Sequence, residues 1–287
     1  MLMKKARTTA LATVFVALAT GLAQQAGAVT LKEIQQRGYV RIAIANEIPY
    51  GYMNLSEQAK GIGPDVAKQV MKQLGVKKIK WVVTGFGSLI PGLKANRFDM
   101  VAAEMAILPP RCEKVLFSEP DSSYGEGLLV AKGNPAHLDS YEAFAKSGKK
   151  VAIMAGADQL DMLQALGVPS SNIVTIASNA DAISTVTTGR ASAYAATGLT
   201  VNQLAAKSGK VQAAKPFTDP IVHGQPARSW GGFAFAQNST DLRNAVNTQL
   251  AQFKKTPGWK QLMKHYGFTD KDAQASFDKT TAQLCTK

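Results

Sequence analysis

The sequence predicts an α/β protein with two lobes. Short strand-like and helix-like segments alternate along it, and the alternation restarts after Gly125–Lys132. Two segments, Tyr124–Val130 and Ser229–Ala236, are candidate crossings by which the chain would enter a second lobe and return. Two crossing strands would form a hinge, and the cleft between two lobes is a natural site for a small molecule.

The first series runs strand, helix, strand, helix, strand, which implies a parallel sheet with crossover helices. Its first helix opens at Gly63-Pro64-Asp65, because proline suits a first helical turn and aspartate suits the positive end of the helix dipole. The predicted segments are Tyr39–Ala45, the helix from Gly63 to Gly75, Ile79–Thr84, Ser88–Ala95 and Phe98–Ala102.

The second series repeats this alternation and ends in helices. If the chain crosses twice, the last two helices return to the first lobe. The predicted strands are Val151–Met154, Ile173–Ile176, Ala191–Ala195, Val211–Ala214 and, after the irregular stretch Phe217–Arg228, Gly231–Ala236. The predicted helices are Asp158–Leu166, Asn179–Thr188, Thr200–Lys207, Thr240–Lys254 and Gly258–His265.

Residues 1–28 are predicted to be a cleaved secretory signal peptide. Lys4, Lys5 and Arg7 precede the small, apolar run Thr8–Ala23, and Ala26–Ala28 offers an A-x-A cleavage site. A membrane anchor is the alternative, but the run is short and rich in alanine and threonine. No later stretch of the sequence is apolar enough to span a bilayer, so we expect an exported, soluble mature chain.

The charge of the mature chain does not favour nucleic-acid binding. Residues 1–28 hold three basic and no acidic residues, so their removal lowers the net charge from +13 to +10. The lysines are scattered rather than grouped with aromatic residues, which is typical of a solvated surface.

The two cysteines, Cys112 and Cys285, are an even pair in an oxidising compartment, which predicts a disulfide. The three histidines have no ligand spacing to either cysteine, so no metal site is predicted. The bridge would fasten the C-terminus to the turn that holds Arg111.

Arg111 is the first candidate binding residue. It follows a predicted buried strand, and an arginine fixed beyond a strand end suits bidentate binding of a small carboxylate. Glu104 lies between that strand and the turn. The alternatives are a surface arginine or an arginine paired internally with Glu104.

Several segments together resemble a known family. They are Ala43–Tyr50, Gly61–Val66, Gly85–Leu93, Phe98–Ser118, Gly133–Pro135 and Trp259–Phe268. Their sequence resembles the family 3 extracellular solute-binding proteins, the periplasmic receptors of polar amino acid ABC importers. The Pro-x-Arg-Cys motif at Pro109–Cys112, with Leu284-Cys285, is most similar to the ectoine and hydroxyectoine receptors.

The resemblance implies the type II periplasmic-binding-protein fold, with a ligand cleft between two lobes and a two-strand hinge. Lobe 1 would comprise residues 29–128 and 230–287, and lobe 2 residues 129–229. The protein would be a periplasmic monomer without cofactor that delivers a small zwitterionic ligand to an inner-membrane ABC permease.

The resemblance also implies that Arg111 holds the ligand carboxylate together with a loop at the start of a second-lobe helix. That loop contains Gly156, Asp158 and Gln159. Gly156 allows close backbone approach, and the helix start favours an anion. Asp158 departs from the family's Ser or Thr, and it would repel a carboxylate unless it pairs with Arg111 or points away. A plain helix N-cap is its alternative role.

The positive end of the ligand is expected at other acids. Amino-acid receptors of the family carry an acid where this chain has Ala193–Thr197, which contains none. Glu47 would replace it, as the resemblance to the ectoine receptors implies, and Glu104 is an additional acid. Tyr50 and Phe86 would line the pocket and attract a cation through their rings.

Each of these residues also has a structural alternative. Glu47 and Glu104 could be solvated loop acids, and Tyr50 and Phe86 could be core packing. Arg228 and Trp230 are interpreted as hinge packing. Ala106 replaces a residue that is often aromatic in the ectoine receptors, which removes one wall of a ring pocket.

The alternative function is an enzyme similar to periplasmic cyclohexadienyl dehydratases, with Glu47 or Glu104 as general acid. The sequence offers no nucleophile–base pair, metal cluster or cofactor motif. Gly85–Gly92 contains G-x-G without the spacing of a dinucleotide site. A solute receptor is therefore the preferred hypothesis.

Overall fold

A computed structural model of the chain describes residues 29–222 and 224–286, so the predicted signal peptide, residues 1–28, lies outside the described residues. The strands are β1 (Val40–Ile44), β2 (Tyr52–Met53), β3 (Ala59–Lys60), β4 (Ile79–Val83), β5 (Met100–Ala106), β6 (Leu116–Phe117), β7 (Ser122–Ala131), β8 (Val151–Met154), β9 (Ile173–Ile176), β10 (Ala193–Thr197), β11 (Val211–Ala213), β12 (Ile221–Val222), β13 (Gln225–Pro226) and β14 (Arg228–Phe235).

The α-helices are α1 (Leu31–Arg37), α2 (Ile62–Gln73), α3 (Leu89–Lys94), α4 (Pro109–Cys112), α5 (Glu142–Ser147), α6 (Gln159–Ala165), α7 (Ala182–Thr187), α8 (Gly198–Ala206), α9 (Thr240–Phe253), α10 (Pro257–His265), α11 (Asp270–Ala275) and α12 (Thr281–Leu284). Short 3-10 turns occupy Phe86–Ser88, Ser170–Asn172 and Asn179–Asp181. No helix within the described residues is long and apolar enough to cross a membrane.

One continuous sheet runs through the molecule in the order β4-β1-β5-β14-β7-β10-β8-β9. β1 is parallel to β4 and β5, and β8 is parallel to β9 and β10, as the alternation of strands and helices predicted. The central strands are different: β14 is antiparallel to β5 and β7, and β7 is antiparallel to β10. Two parallel half-sheets are thus joined by an antiparallel centre.

The centre of the sheet is where the chain passes from one half to the other. The first residues of β7, Ser122–Gly125, pair with Arg228–Gly231 of β14. The following residues, from Glu126 to Val130, pair with β10 in the other half-sheet. β7 and β14 coincide with the two predicted crossings, which gives the predicted two-lobed α/β fold.

Both faces of each half-sheet are buried, which explains the nearly continuous apolar strands. On one side of the first half-sheet, Ile42 packs in the same core as Trp259 and Met263 of α10. The C-terminal helices therefore return to the first half-sheet, as predicted. The remaining core clusters lie around Leu93 on its other face and around Tyr141 and Tyr194 in the second half.

The strand that carries Glu104 is longer than predicted. β5 extends to Ala106, so Glu104 lies within the strand rather than between strand and turn. Every residue of β5 is buried. The extension follows from pairing, because Met105 and Ala106 are opposite Gly232 and Gly231 of β14.

Cys112 and Cys285 form the predicted disulfide, with their Cα atoms 5.7 Å apart and a sequence separation of 173. The C-terminal segment is also fastened without the bridge. Thr281 donates a hydrogen bond from its hydroxyl to the carbonyl of Ser118, at 2.5 Å, and Leu284 packs against the apolar cluster under α4.

Replacing both cysteines with serine should lower the free energy of unfolding, because the bridge restricts the unfolded chain over a long loop. The chain-entropy relation gives about 5 kcal/mol for a loop of this length, and removal of native bridges costs roughly 2–5 kcal/mol. Urea unfolding of Cys112→Ser/Cys285→Ser measures the difference, with reduced wild type as the matched control. An unchanged midpoint would show that the other C-terminal contacts suffice.

Candidate ligand-binding site

A small cavity lies between the two half-sheets, beside the crossing strands. Its volume is about 30 Å³, room for roughly two water molecules, so a solute of amino-acid size would enter only when the halves move apart. The predicted residues Glu47, Tyr50, Phe86, Glu104, Asp158 and Gln159 all line it. The rest of the lining is Ala103, Ala106, Tyr124, Met154, Ala157, Tyr194, Ala196 and Thr197.

Arg111 and Gly156 lie at the mouth of this cavity, in a groove of about 720 Å³ that Phe86 also lines. Arg111 is held by two backbone carbonyls. Its Nη1 donates to Ala106 O at 2.9 Å, and its Nη2 donates across the cleft to Gly156 O at 3.0 Å. The guanidinium carbon is 5.6 Å from the centroid of the Phe86 ring. Arg111 forms no ion pair with Glu104 among the described residues, so the internal-pairing alternative is wrong.

Gly156 brings the two halves into close contact near Arg111. Its φ of +80° belongs to the left-handed region, which glycine adopts at little cost. A Cβ at this position would lie 2.8 Å from the Cα of Gly87 in the first half. Glycine is therefore required both by the backbone conformation and by the contact across the cleft.

Asp158 occupies the N-cap position of α6, but its side chain caps no helical N–H. Instead its Oδ2 accepts a hydrogen bond from the hydroxyl of Ser229, at 3.1 Å, on crossing strand β14. The helix-cap alternative is wrong for this reason. The side chain is 8% exposed and lines the cavity.

Gln159 is fixed by an acid that the sequence reasoning missed. Its Nε2 donates to Glu126 Oε2 at 2.7 Å, and the Tyr141 hydroxyl donates to the same oxygen at 3.1 Å. Burial raises the pKa of Glu126 well above its usual value, and the charge of Asp158 raises it further. The signal for Glu126 was a lone acid inside the apolar run Gly125–Ala131, because a buried carboxyl needs partners.

Glu47 lies in the loop after β1 and reaches into the cavity. The loop is closed by hydrogen bonds between the backbones of Glu47 and Gly51, at 2.8 and 2.9 Å. Glu47 is 7% exposed, which contradicts the solvated-acid alternative. Thr200 of α8 donates its hydroxyl to Glu47 Oε1 at 2.9 Å, and burial raises the pKa of this carboxyl.

Tyr50 belongs both to the core and to the cavity wall. Its ring centroid lies 5.2 Å from that of Tyr124 and 6.1 Å from that of Phe268. Its hydroxyl donates across the cleft to Thr197 Oγ1 at 2.8 Å. Like Glu47, Tyr50 therefore links the first half of the molecule to the second.

Glu104 is 2% exposed, so the solvated-acid alternative is wrong for this residue too. Ser122, at the start of β7, donates its hydroxyl to Glu104 Oε2. The carboxyl of Glu104 is also hydrogen-bonded to that of Asp121. Burial raises the pKa of Glu104 well above its usual value, and the neighbouring carboxyl of Asp121 adds to that effect.

Arg228 and Trp230 brace the second crossing strand from behind the cavity. Arg228 donates from Nε to Ser123 Oγ at 2.8 Å and pairs with Asp272 of α11 at 2.6 Å. Trp230 Nε1 donates to Ala275 O at 2.8 Å. These contacts agree with the interpretation as hinge packing, and neither residue lines the cavity.

The charge around the cavity is mainly negative. The buried acids are Glu47, Glu104, Asp121, Glu126 and Asp158. The nearby cations are Arg111 at the mouth and Lys254 behind the crossing strands. Such an arrangement would bind a molecule with one carboxylate and a strongly favoured positive end. Within residues 29–222 and 224–286, no group of three His, Cys, Asp or Glu side chains could hold a metal ion.

Comparisons with known proteins agree with this geometry. A probable amino-acid ABC transporter periplasmic-binding protein of Sinorhizobium fredii is 59% identical over 266 residues, which cover 92% of this chain and 88% of the relative. A crystal structure of EhuB in complex with hydroxyectoine has a TM-score of 0.81 at 30% identity, covering 89% of this chain and 97% of that chain.

A further similar structure is an ancestral amino acid-binding protein, AncCDT-1, described as a precursor of cyclohexadienyl dehydratase. Its TM-score is 0.71 at 31% identity, and the match covers 82% of this chain and 98% of that chain. The family of bacterial extracellular solute-binding proteins, family 3, matches residues 40–269. Because that match spans most of the sequence, this chain is a member of the bacterial extracellular solute-binding proteins of family 3.

Proposed function

We propose that this protein is the periplasmic receptor of an ABC importer and captures a small zwitterionic solute between its lobes. The observation that carries the proposal is the distribution of charge in the cleft, where Arg111 lines the outer groove and the buried acids Glu47 and Asp158 line the inner cavity. A receptor would bind the solute, close and dock on a permease in the inner membrane. We propose that it works as a monomer after removal of residues 1–28.

The proposed lobes are residues 29–128 with 230–287, and residues 129–229. The change of pairing partner within β7 and the pairing of β14 with both β5 and β7 support a border at these strands. Glu47, Tyr50, Phe86, Glu104 and Arg111 would then belong to lobe 1. The loop with Gly156, Asp158 and Gln159 would belong to lobe 2.

The carboxylate of the solute would bind at Arg111. The guanidinium has five N–H donors, two of which contact backbone carbonyls, so donors remain for a carboxylate at the cavity mouth. Backbone N–H groups near Gly156 would complete this contact when lobe 2 closes.

The positive end of the solute would lie deeper, at Glu47 and between aromatic faces. Ectoine or hydroxyectoine is the preferred ligand class, because a delocalised ring cation suits a carboxylate flanked by Tyr50 and Phe86. The similarity to EhuB, which was solved with hydroxyectoine, supports this choice. An ordinary α-amino acid lacks its usual acid in Ala193–Thr197, so a cationic amino acid or an opine is the second choice.

Closure would be driven by contacts that exist only when the lobes meet. Several hydrogen bonds already cross the cleft, among them those from Arg111 to Gly156, from Tyr50 to Thr197 and from Thr200 to Glu47. A solute that binds both lobes adds to these contacts and shifts the population towards the closed form. The closed form would be the one recognised by the permease.

A thermal-shift screen tests the function directly. Protein stripped of bound ligand by denaturing purification and refolding should gain several degrees of melting temperature with its ligand at about 100 times Kd, since that excess stabilises by about 2.7 kcal/mol. The panel contains ectoine, hydroxyectoine, arginine, lysine and octopine. Turnover of prephenate or arogenate by the same preparation would instead favour the dehydratase alternative.

Arg111→Ala should weaken binding of the solute found in that screen by about 30-fold or more, because truncating one partner of a buried charge pair costs at least about 2 kcal/mol. Isothermal titration measures the change, and the melting temperature of the free protein checks folding. Arg190→Ala, at an exposed position, is the matched control. Unchanged affinity in the Arg111 variant would contradict the site.

Gly156→Ala should impair closure of the cleft, whereas Gly167→Ala should not. Gly156 and Gly167 have similar φ values, +80° and +82°, but a Cβ on Gly167 meets no atom within 4 Å. Both variants should lose about 1 kcal/mol of stability from backbone strain. Only Gly156→Ala should also lose affinity, by roughly tenfold or more, because its methyl group meets Gly87. Equal affinities in the two variants would contradict the closure contact.

A further inference from the structure

Glu104 lines the cavity and is hydrogen-bonded to a second buried carboxyl, that of Asp121. Ser122 of β7 donates a hydrogen bond to Oε2, which ties the carboxyl to a crossing strand. Apart from the carboxyl of Asp121, to which Glu104 is hydrogen-bonded, Oε1 has no partner among the described protein atoms, and the residue is 2% exposed. Glu104 lines the cavity and Asp121 does not, so Glu104 is the member of this pair that is nearer to a ligand in the cavity.

The surrounding backbone makes room for this carboxyl on both sides. A Cβ on Gly231 of β14 would lie 2.9 Å from Glu104 Oε2 and 2.5 Å from Ser122 Oγ. A Cβ on Gly63, in the first turn of α2, would lie 3.1 Å from Oε1. The positive end of this twelve-residue helix is therefore close to Oε1 and favours the ionised carboxylate.

Asp121 supplies a second carboxyl behind Glu104. It is fully buried, and its carboxyl is hydrogen-bonded to that of Glu104. Burial raises the pKa of Asp121 to about 6 and that of Glu104 well above its usual value. Two neighbouring carboxyls in such a site retain one proton between them, because two adjacent negative charges repel.

Lys254 balances one of those negative charges from the far side. Its Nζ donates to Pro120 O at 2.6 Å and to Ser276 O at 2.9 Å. Burial lowers the pKa of this ammonium to about 8, while the charges of Asp121, Glu119 and Glu104 oppose that shift. Lys254 therefore stays charged near neutral pH. Its single positive charge favours the loss of one proton from the Glu104–Asp121 pair, but no second cation among the described residues is there to favour the loss of the other.

The other titratable groups around Glu104 do not offer that second cation. Arg111 donates to carbonyls at the cavity mouth. Lys68 on α2 and Arg228 on β14 are paired with Asp65 and Asp272. The remaining groups that face this region are uncharged or acidic, namely Tyr50, Tyr124, Glu47 and Asp158.

We propose that Glu104 determines specificity by accepting, through Oε1, an N–H from a cationic nitrogen of the ligand, and that the Glu104–Asp121 pair then releases its proton to water. This inference rests on the proposed binding of a zwitterionic solute in the cleft. The ligand brings the second positive charge that the buried pair lacks. No bond other than the carboxyl O–H breaks, and the buffer takes up the proton.

The consequence is affinity that depends on pH. Protons compete with the cationic ligand for the pair, so affinity should rise with pH until the pair has lost its last proton, and binding below that pH should release protons. Titration calorimetry in phosphate and in Tris separates the released protons from the binding heat, because the two buffers differ in ionisation enthalpy. Hydroxyectoine and L-arginine are the probes.

Glu104→Gln keeps the shape of the side chain but removes the charge and the proton. It should weaken both probes' binding by about 10- to 100-fold, the usual effect of losing a hydrogen bond to a charged group, and should abolish proton release. Glu57→Gln, at an exposed acid, should leave both quantities unchanged. Wild-type affinity or wild-type proton release in Glu104→Gln would overturn the proposal.

Asp121→Asn separates a ligand contact from a merely structural role. Without the second carboxyl, Glu104 ionises at lower pH, so in this variant the loss of affinity on acidification should begin at a lower pH than in wild type, and binding should release fewer protons. Unchanged pH dependence would overturn the proposal. If Arg111→Ala abolishes binding while both carboxyl variants behave as wild type, the receptor stands and only the role of Glu104 falls. If neither probe binds to the wild-type protein, both the proposed receptor function and the role of Glu104 are contradicted.

Discussion

The structure depends on the antiparallel pairing of Ser122–Gly125 with Arg228–Gly231, because these short segments join the two half-sheets. The pairing is reinforced by side chains, since Ser123 donates its hydroxyl to Ser229 O at 3.0 Å. The same segments supply contacts to the cavity: Ser122 binds Glu104, and Ser229 binds Asp158. A change of angle between the half-sheets therefore moves hydrogen-bond donors of the pocket, and hinge and site act as one unit.

The burial of several acids around the cavity lowers the stability of the folded protein. Taking a carboxylate out of water is unfavourable unless it gains partners, and burial raises the pKa of Glu47, Glu104 and Glu126 accordingly. These acids share hydroxyl and amide donors rather than arginines or lysines. A cationic ligand would reduce this unfavourable free energy. The reduction would contribute to the affinity of the protein for the ligand.

Segments with strong local signals could be predicted from the sequence. Val151–Met154 and Ile173–Ile176 were predicted with the observed bounds, because apolar, β-branched runs lie between helices that end at glycine. The disulfide followed from cysteine number and compartment. α1 was missed although its capping box, Thr30 with Glu33, was present in the sequence.

What could not be predicted depends on contacts between distant segments. α11 carries no apolar stripe and is fixed by bonds to Arg228 and Trp230 of β14. The direction of the Asp158 side chain depends on Ser229, which is 71 residues away in sequence. The burial of Glu104 depends on the extension of β5 along β14. Sequence periodicity carries no information about such pairs.

The outer groove and the inner cavity of the cleft also differ in the charge of the residues that line them. Phe86, Arg111, Lys94 and Lys114 line the outer groove, where Asp161 is the acid in the lining. The inner cavity is lined by Glu47, Glu104 and Asp158 and by no lysine or arginine. A zwitterion between these regions has one favourable orientation, with its carboxylate towards the groove and its cation towards the crossing strands. In that orientation the cation meets the groups that are bonded to the hinge, so the positive end of the ligand is the part best placed to influence closure.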